Sequence, residues 1–348
     1  RPPGPRDARP LARERLLSYD GRMSKPVPDA KAAAPTFFTI SPLMIFPETL
    51  GRFSIYLRQG DEYVLYADSE ERFSERHRRN LHESGVKEVF VKTEQKEHFE
   101  RYVESNLGRI LADEALPMPE RARIFMDAAK DVVQDVFEER LPAIRKENFE
   151  RLKNVVEQSI RFLTKEKALT ALAPFIAHDY KGYTHSIHVF VFTLAVLQSF
   201  GAVEEELFQA GMGAMLHDVG KLRVPKEILN KRSLSRAEQE VLRGHPLWGV
   251  SLCAQLTMSQ TSLNCILFHH ERMDGEGYPG RLPGEGIPFP VRVLSVCDSY
   301  DNLTSERPGS SALSPFEALR TMRDDMKGAF DLEVFKRFVQ VLSGASLV

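Results

Sequence analysis

The sequence predicts a small α+β domain followed by an all-α domain, and three observations carry that prediction. β-prone runs are confined to the first third of the chain, at Phe53–Leu57, Tyr63–Tyr66 and Val86–Val91. Apolar residues recur at helical spacing from Phe125 onward, where turn-rich text is rare outside residues 271–290. The 348 residues, 42% hydrophobic and 28% charged, have ordinary globular composition and enough length for two cores.

Bulk properties narrow the class further. A formal charge of −2 argues against a nucleic-acid polymer held on a basic face. The three cysteines, Cys253, Cys265 and Cys297, are an odd number without C-x-x-C spacing, so neither a disulfide framework nor a structural zinc site is expected, and a reducing cytoplasm fits. The most apolar run, Val189–Leu197, is far short of the roughly 20 residues of a membrane span, and no apolar signal-peptide core is visible.

In chain order, residues 1–36 are rich in Pro, Arg and Ala and are expected to be a disordered lead, with Met23 a candidate natural start. Residues 37–108 form the expected α+β regulatory or docking domain. Its first two strands flank the turn Arg58–Glu62. A helix capped by Ser74 and stopped by Gly85 precedes the third strand, and a second helix capped by Thr93 carries Phe99, Tyr102, Val103 and Leu107. His77, His82 and His98 lie there among charges and read as solvated. Residues 109–165 are a helical connector of two long helices around Pro142, and residues 166–348 are the all-α domain. In it, Ser235 with Glu238 and Ser314 with Glu317 make capping boxes, and Gly244 closes a helix. Residues 271–290, crowded with Gly and Pro, form a loop long enough to be functional.

The chemistry centres on Leu216-His217-Asp218-Val219-Gly220-Lys221. Adjacent imidazole and carboxylate supply a nitrogen and an oxygen donor that can bridge two cations, and Lys221, four residues on, would share the helix face of His217. The plain alternative is a buried hydrogen-bonded dyad. The other histidines favour metal: seven of ten fall between residues 178 and 270. His178, His185 and His188 would share one face, followed by His245, the pair His269-His270, and Asp298. Five separated stations of His and Asp on successive helices would otherwise each need a buried partner of its own.

These residues carry a resemblance. His217-Asp218-Val219-Gly220-Lys221, Val224-Pro225, His245-Pro246, His269-His270-Glu271, Asp274-Gly275, Gly277-Tyr278-Pro279, Asp298, Tyr300-Asp301 and Arg307-Pro308 occur in the order found in the HD-GYP family of bacterial cyclic-di-GMP phosphodiesterases, over about residues 170–345. The resemblance implies an HD-type helical bundle. It implies that His185, His217, Asp218 and Asp298 hold one metal while Asp218, His245, His269 and His270 hold another. Mixed imidazole and carboxylate donors suit iron or manganese, with zinc acceptable. The implied reaction is opening of cyclic-di-GMP to pGpG or GMP by a metal-bridging hydroxide, aided by Asp218 and Lys221, with Gly277, Tyr278, Pro279, Lys221 and Arg307 at the substrate. The plain alternatives are a salt bridge for Lys221, a loop anchor for Tyr278 and a helix contact for Arg307.

Departures from the family matter too. Lys181 stands where some members carry a Glu that supports a third metal, so two metals are expected. Gly309 and Ser310 follow Arg307-Pro308 where an aromatic and a basic residue are common, so grip would be weaker or come from Arg272, Arg281 or Lys181. His188 reads as structural or as a support to a ligand. Competing readings are another cyclic dinucleotide such as cyclic GMP-AMP, a silent cyclic-dinucleotide receptor, and a mixed-valence iron oxygenase, for which the loop has no use. The expected partner is a cyclic dinucleotide, with a homodimer through the connector or N-terminal domain and a protein partner on the loop compatible with the sequence; no membrane is expected.

Overall fold

The computed structural model describes residues 36–347 apart from 48, 50, 139–142, 166, 177–181 and 307–310. The expected disordered lead, His178, Lys181, Pro142 and Arg307 therefore lie outside the described residues. Contacts divide the chain into two compact units, residues 1–102 and 103–348.

In the first unit four short strands, β1 (Phe37–Ile40), β2 (Ile55–Gln59), β3 (Glu62–Ala67) and β4 (Val89–Lys92), form an antiparallel sheet in the order β1-β4-β2-β3. β1 escaped the sequence reading, and its four residues limit the ladder on β4 to Val89–Lys92, so Val86–Glu88 stay outside the strand expected there. Helix α1 (Glu75–Glu83) begins after Ser74, whose Oγ accepts from His77 N at 3.3 Å while His77 Nδ1 accepts from Ser74 N at 3.2 Å. His77 is thus half-buried in a reciprocal cap, not simply solvated. Thr93 opens a 3-10 turn rather than capping α2 (Lys96–Ala112). Phe53 packs edge-on against Phe99 and Tyr102, with centroids 5.3 and 5.4 Å away.

The second unit is helical. Its connector helices are α3 (Met118–Phe137) and α4 (Lys146–Leu163), each with an apolar stripe that is buried. α5 (Ala168–Ile176) leads to α6 (Gly182–Ser199), a helix of largely apolar sequence that packs on α3, on α7 (Glu204–Leu216), on α12 (Phe289–Thr304) and on α14 (Leu332–Gly344). A helix buried on nearly every side must be apolar all round, and the run Val189–Leu197 meets that demand. Between α7 and α12 lie α8 (Lys226–Leu229), α9 (Arg236–Arg243), α10 (His245–Cys253) and α11 (Gln260–Phe268), and α13 (Pro315–Asp324) follows α12. Both capping boxes form, at Ser235 and Glu238 and at Ser314 and Glu317. The three cysteines are buried and free. No described helix is long and apolar enough to cross a membrane.

Candidate metal centre

Four helix ends and one helix face bring the chemistry together. α7 stops at Leu216, so His217 caps it and Lys221 lies on the following 3-10 turn, Val219–Arg223, not on the helix face of His217 as the spacing had suggested. There Lys221 Nζ donates to Asp218 Oδ2 at 2.5 Å. A Cβ on Gly220 would sit 1.8 Å from His245 O, so only glycine lets this turn lie flush against α10. That approach sets His245 Nε2 3.3 Å from Asp218 Oδ1. α11 ends at His269-His270, and Asp298 and Asp301 occupy one face of α12 three residues apart.

Asp218 divides its oxygens between two groups. Oδ1 faces His245 and His269, whose Nε2 atoms are 3.3 and 3.8 Å away, while Oδ2 faces His185 Nε2 at 3.7 Å and His217 Nε2 at 3.6 Å. Asp298 Oδ1 completes the second group, 3.1 Å from His185 Nε2 and 3.5 Å from His217 Nε2. Its Oδ2 lies 4.0 Å from His270 Nδ1. All these side chains are buried except His270, which is partly open. The donor atoms of His245, His269 and His270 lie within 4.8 Å of one another, as do those of His185, His217 and Asp218.

Hydrogen bonding leaves these donors aimed at nothing but each other. His217, His245 and His269 each donate Nδ1–H to the carbonyl three residues back, on Ala214, Leu242 and Ile266 at 2.7, 2.8 and 2.9 Å. A carbonyl only accepts, so in the neutral rings Nε2 carries a lone pair. His245 and His269 point theirs at one another across 3.1 Å, about the separation of two nitrogens held side by side on one ion at roughly 2.1 Å. His185 Nε2 and His217 Nε2 are buried without a hydrogen-bond partner. Leaving such an atom unsatisfied costs about 1–3 kcal/mol, and a shared cation removes the cost. The residues therefore fit a pair of metal ions.

Electrostatics differ across the centre. For His185, burial disfavours the charge, but the carboxylates of Asp298, 3.1 Å from Nε2, and of Asp301, bonded to Nδ1, outweigh it and push the imidazole up to about 9. Burial would raise Asp218 and Asp298, yet Lys221 and His217 hold Asp218, and His185 and His217 hold Asp298, well below the carboxylate range. His269 is driven far down by burial and then by His270, and His270 is pushed down to about 3 chiefly by burial. One group asks for a cation; the other offers neutral nitrogen.

The loop after His270 is closed over the centre by Glu271. Its buried carboxylate accepts from Gly280 N at 2.5 Å and Leu282 N at 2.9 Å. A Cβ on Gly277 would come within 2.5 Å of Arg272 N, so the loop doubles back only with glycine there. Tyr278 N donates to His270 O, and the Tyr278 ring stacks on the His270 ring at 4.7 Å; the Tyr278-Pro279 peptide is cis. Arg272 is committed to Asp274 through two hydrogen bonds. Sequence reasoning left Asp301 without a role, yet its two oxygens meet His185 Nδ1 at 2.6 Å and His188 Nδ1 at 3.0 Å. Its place three residues after Asp298 was the available signal. Asn302, whose Nδ2 donates to Asp298 Oδ1 at 2.9 Å, and Glu271 were missed in the same way.

The same stretch of chain is similar to known proteins. The profile of an HD domain matches residues 193–334. That stretch is similar to HD domains. It is 36% identical over 192 residues to a cyclic di-GMP phosphodiesterase of Pseudomonas aeruginosa, covering 54% of this chain and 46% of that protein. It is 29% identical over 178 residues to a 3'3'-cGAMP-specific phosphodiesterase of Vibrio cholerae, covering 51% of this chain and 37% of that one. The chain thus spans less than half the length of either curated relative. Among solved structures, an HDG"Y"P protein of Bdellovibrio bacteriovorus superimposes with a TM-score of 0.61 at 20% identity, over 88% of this chain and all of that one, a likeness of fold. His185 lies outside the matched stretch of the HD domain and joins it only through its contacts.

Proposed function

We propose that the chain is a metal-dependent phosphodiesterase that hydrolyses cyclic-di-GMP to pGpG or GMP. The observation that carries this reading is the division of Asp218, one oxygen toward each histidine group, with buried ring nitrogens left unpartnered around it. His185, His217, Asp218 and Asp298 would hold one divalent ion, and Asp218, His245, His269 and His270 the other. Iron or manganese suits these donors best, and zinc is acceptable. When bound, such a pair supplies Lewis-acid polarisation of a phosphoryl oxygen and acidifies a water for attack.

The protein's own groups do the rest. Asp218 would hold both ions, and Lys221, now on its Oδ2, would turn its ammonium to a phosphate oxygen and hold a proton for the leaving ribose oxygen. Tyr278, between Gly277 and Pro279 and stacked on His270, would shape the loop that faces the guanine base, and Arg307 would grip phosphate. The relatives' names favour cyclic-di-GMP first and 3'3'-cGAMP second. Residues 37–108 serve as a regulatory or docking domain, 109–165 as connector and 166–348 as the phosphodiesterase domain, working in the cytoplasm. The loop would serve a protein partner, and the connector or the N-terminal domain a homodimer.

The test is hydrolysis of cyclic-di-GMP and 3'3'-cGAMP by protein loaded separately with iron and manganese, beside Asp218→Ala. Two ions per chain and turnover lost in the variant are expected. Turnover that survives the substitution overturns the mechanism, and a fully loaded protein that binds without turnover favours the receptor reading.

A further inference from the structure

Arg243 was not among the residues singled out by sequence, and the fold gives it an unusual place. It is the last residue of α9; Gly244 then turns the chain, and α10 begins with His245. This one-residue hinge sends two neighbouring side chains in opposite senses: His245 goes to Asp218 and is 1% exposed, whereas half of the Arg243 side chain remains in solvent. Its guanidinium lies over the Tyr278 ring at 5.2 Å from the centroid, and that ring stacks on His270 at 4.7 Å. Arg243 therefore stands at the rim of the metal centre, beside the one donor that is open to the surface. Its ion-pair partner, Glu240, is 3.7 Å away and exposed, too loose to consume the charge.

Two other cations near the centre have tasks of their own. Lys221 is on Asp218 and Arg272 is locked by Asp274. Ser310 stands where a basic residue is common in the family, so a doubly anionic ring has one fewer expected partner. A planar guanidinium resting on an aromatic face keeps its edge N–H groups free, and those edges match a phosphate in two parallel hydrogen bonds.

Resting on the reading above, we propose that Arg243 is a substrate-binding residue that holds the non-scissile phosphodiester of the cyclic dinucleotide while the scissile one lies at the metal centre. Arg243 and Tyr278 then form one recognition surface, charge beside π-face.

The experiment measures binding of a fluorescent cyclic-di-GMP to manganese-loaded wild type, Arg243→Ala and Arg243→Lys, with metal content and turnover recorded on the same samples. Arg243→Ala is expected to raise Kd and KM about tenfold with kcat changed less than threefold, and with two ions still bound. Arg243→Lys, keeping the charge without the fork, is expected to recover part of the loss. A Kd within twofold of wild type in Arg243→Ala overturns the assignment, as does a fall in kcat at constant KM. Wild type that binds but does not turn over removes the hydrolase reading alone, since the Kd ratio still judges Arg243. Wild type that binds no cyclic dinucleotide overturns both.

Discussion

Histidines that follow the last turn of a helix and histidines set within the first two turns of one are held at the candidate metal centre by different anchors. His217, His245 and His269 come at helix ends, where the last carbonyls have no intrahelical partner, and each takes the carbonyl three residues back for its Nδ1–H. His185 and His188 lie near the start of α6, where the orphan groups are N–H donors and no carbonyl is spare. Their Nδ1 atoms go instead to a side chain, Asp301, reached from more than a hundred residues away. The first anchor is built into the backbone and no substitution removes its acceptor. The second depends on one carboxylate, so the two sets of ligands differ in how they can be broken.

The largest expected effect is at the residue that joins both sets. Asp218→Ala removes an oxygen from each, leaving Lys221 without its partner and the imidazoles without shared charge. Metal content by mass spectrometry is expected to fall below one ion per chain, and turnover by about a thousandfold or more. If two ions remain bound with high affinity, the bridging role of Asp218 is wrong.

Next comes the substitution that separates the anchors. Asp301→Asn keeps the shape but cannot accept from both imidazoles with a full charge, so His185 loses its fixed tautomer. One of the two ions should bind about 10–100-fold more weakly while the other is unchanged, read by calorimetric titration with manganese. Equal weakening of both ions would show that Asp301 supports the fold at large rather than one group of ligands.

Protonation sharpens the same contrast in metal-free protein. His185, raised to about 9 from an ordinary 6.5 by Asp298 and Asp301 against the pull of burial, lends stability that is full below pH 6.5 and lost as pH climbs through 9. His270 works the other way. Burial lowers it to about 3, so the unfolded chain binds a proton the folded one refuses, and stability falls as pH drops from 6.5 toward 3. Melting temperature against pH should bend at both ends; His185→Gln should flatten the alkaline side only and His270→Gln the acid side only. Binding of an ion at His185 should also release about one proton near neutral pH, detectable as a buffer-dependent heat.

These anchors explain what could be read from the chain and what could not. The proposed ligands His217, Asp218, His245, His269 and His270 sit in short contiguous runs, and the helix-end hydrogen bonds of His217, His245 and His269 reach only three residues, so sequence order carried nearly all of their placement. The capping residues Ser235 and Ser314 were legible for the same reason. Asp301 acts across 116 residues to His185, and Arg243 meets Tyr278 only because α9 and the loop fold together. The spacing of Asp301 from Asp298 marks its face but not its partners, and nothing local marks Arg243. Lys221 was misplaced because α7 stops one residue before His217, a boundary set by the tight approach of Gly220 to α10 and not by any breaker in the sequence. β1 was missed because four residues beside a lead rich in Pro, Arg and Ala are too few to show alternation.

The smallest effect tests how far the side-chain anchor extends. Ser305 Oγ donates to Asp301 Oδ2 at 3.3 Å, the same oxygen that His185 holds at 2.6 Å. The longer bond is weak, and its removal leaves Asp301 with both imidazoles. Ser305→Ala should therefore weaken only the ion at His185, by about twofold to fivefold, corresponding to the roughly 0.5–1 kcal/mol of an ordinary hydrogen bond. The ion at His245, His269 and His270 should not respond, because its rings hang on carbonyls that Ser305 does not touch. Calorimetric titration of Ser305→Ala beside Asp301→Asn would show whether affinity at one site follows the number of hydrogen bonds on a single carboxylate. A Ser305→Ala effect as large as that of Asp301→Asn would mean that the position of the α12 terminus, and not the charge on Asp301, sets the geometry of His185.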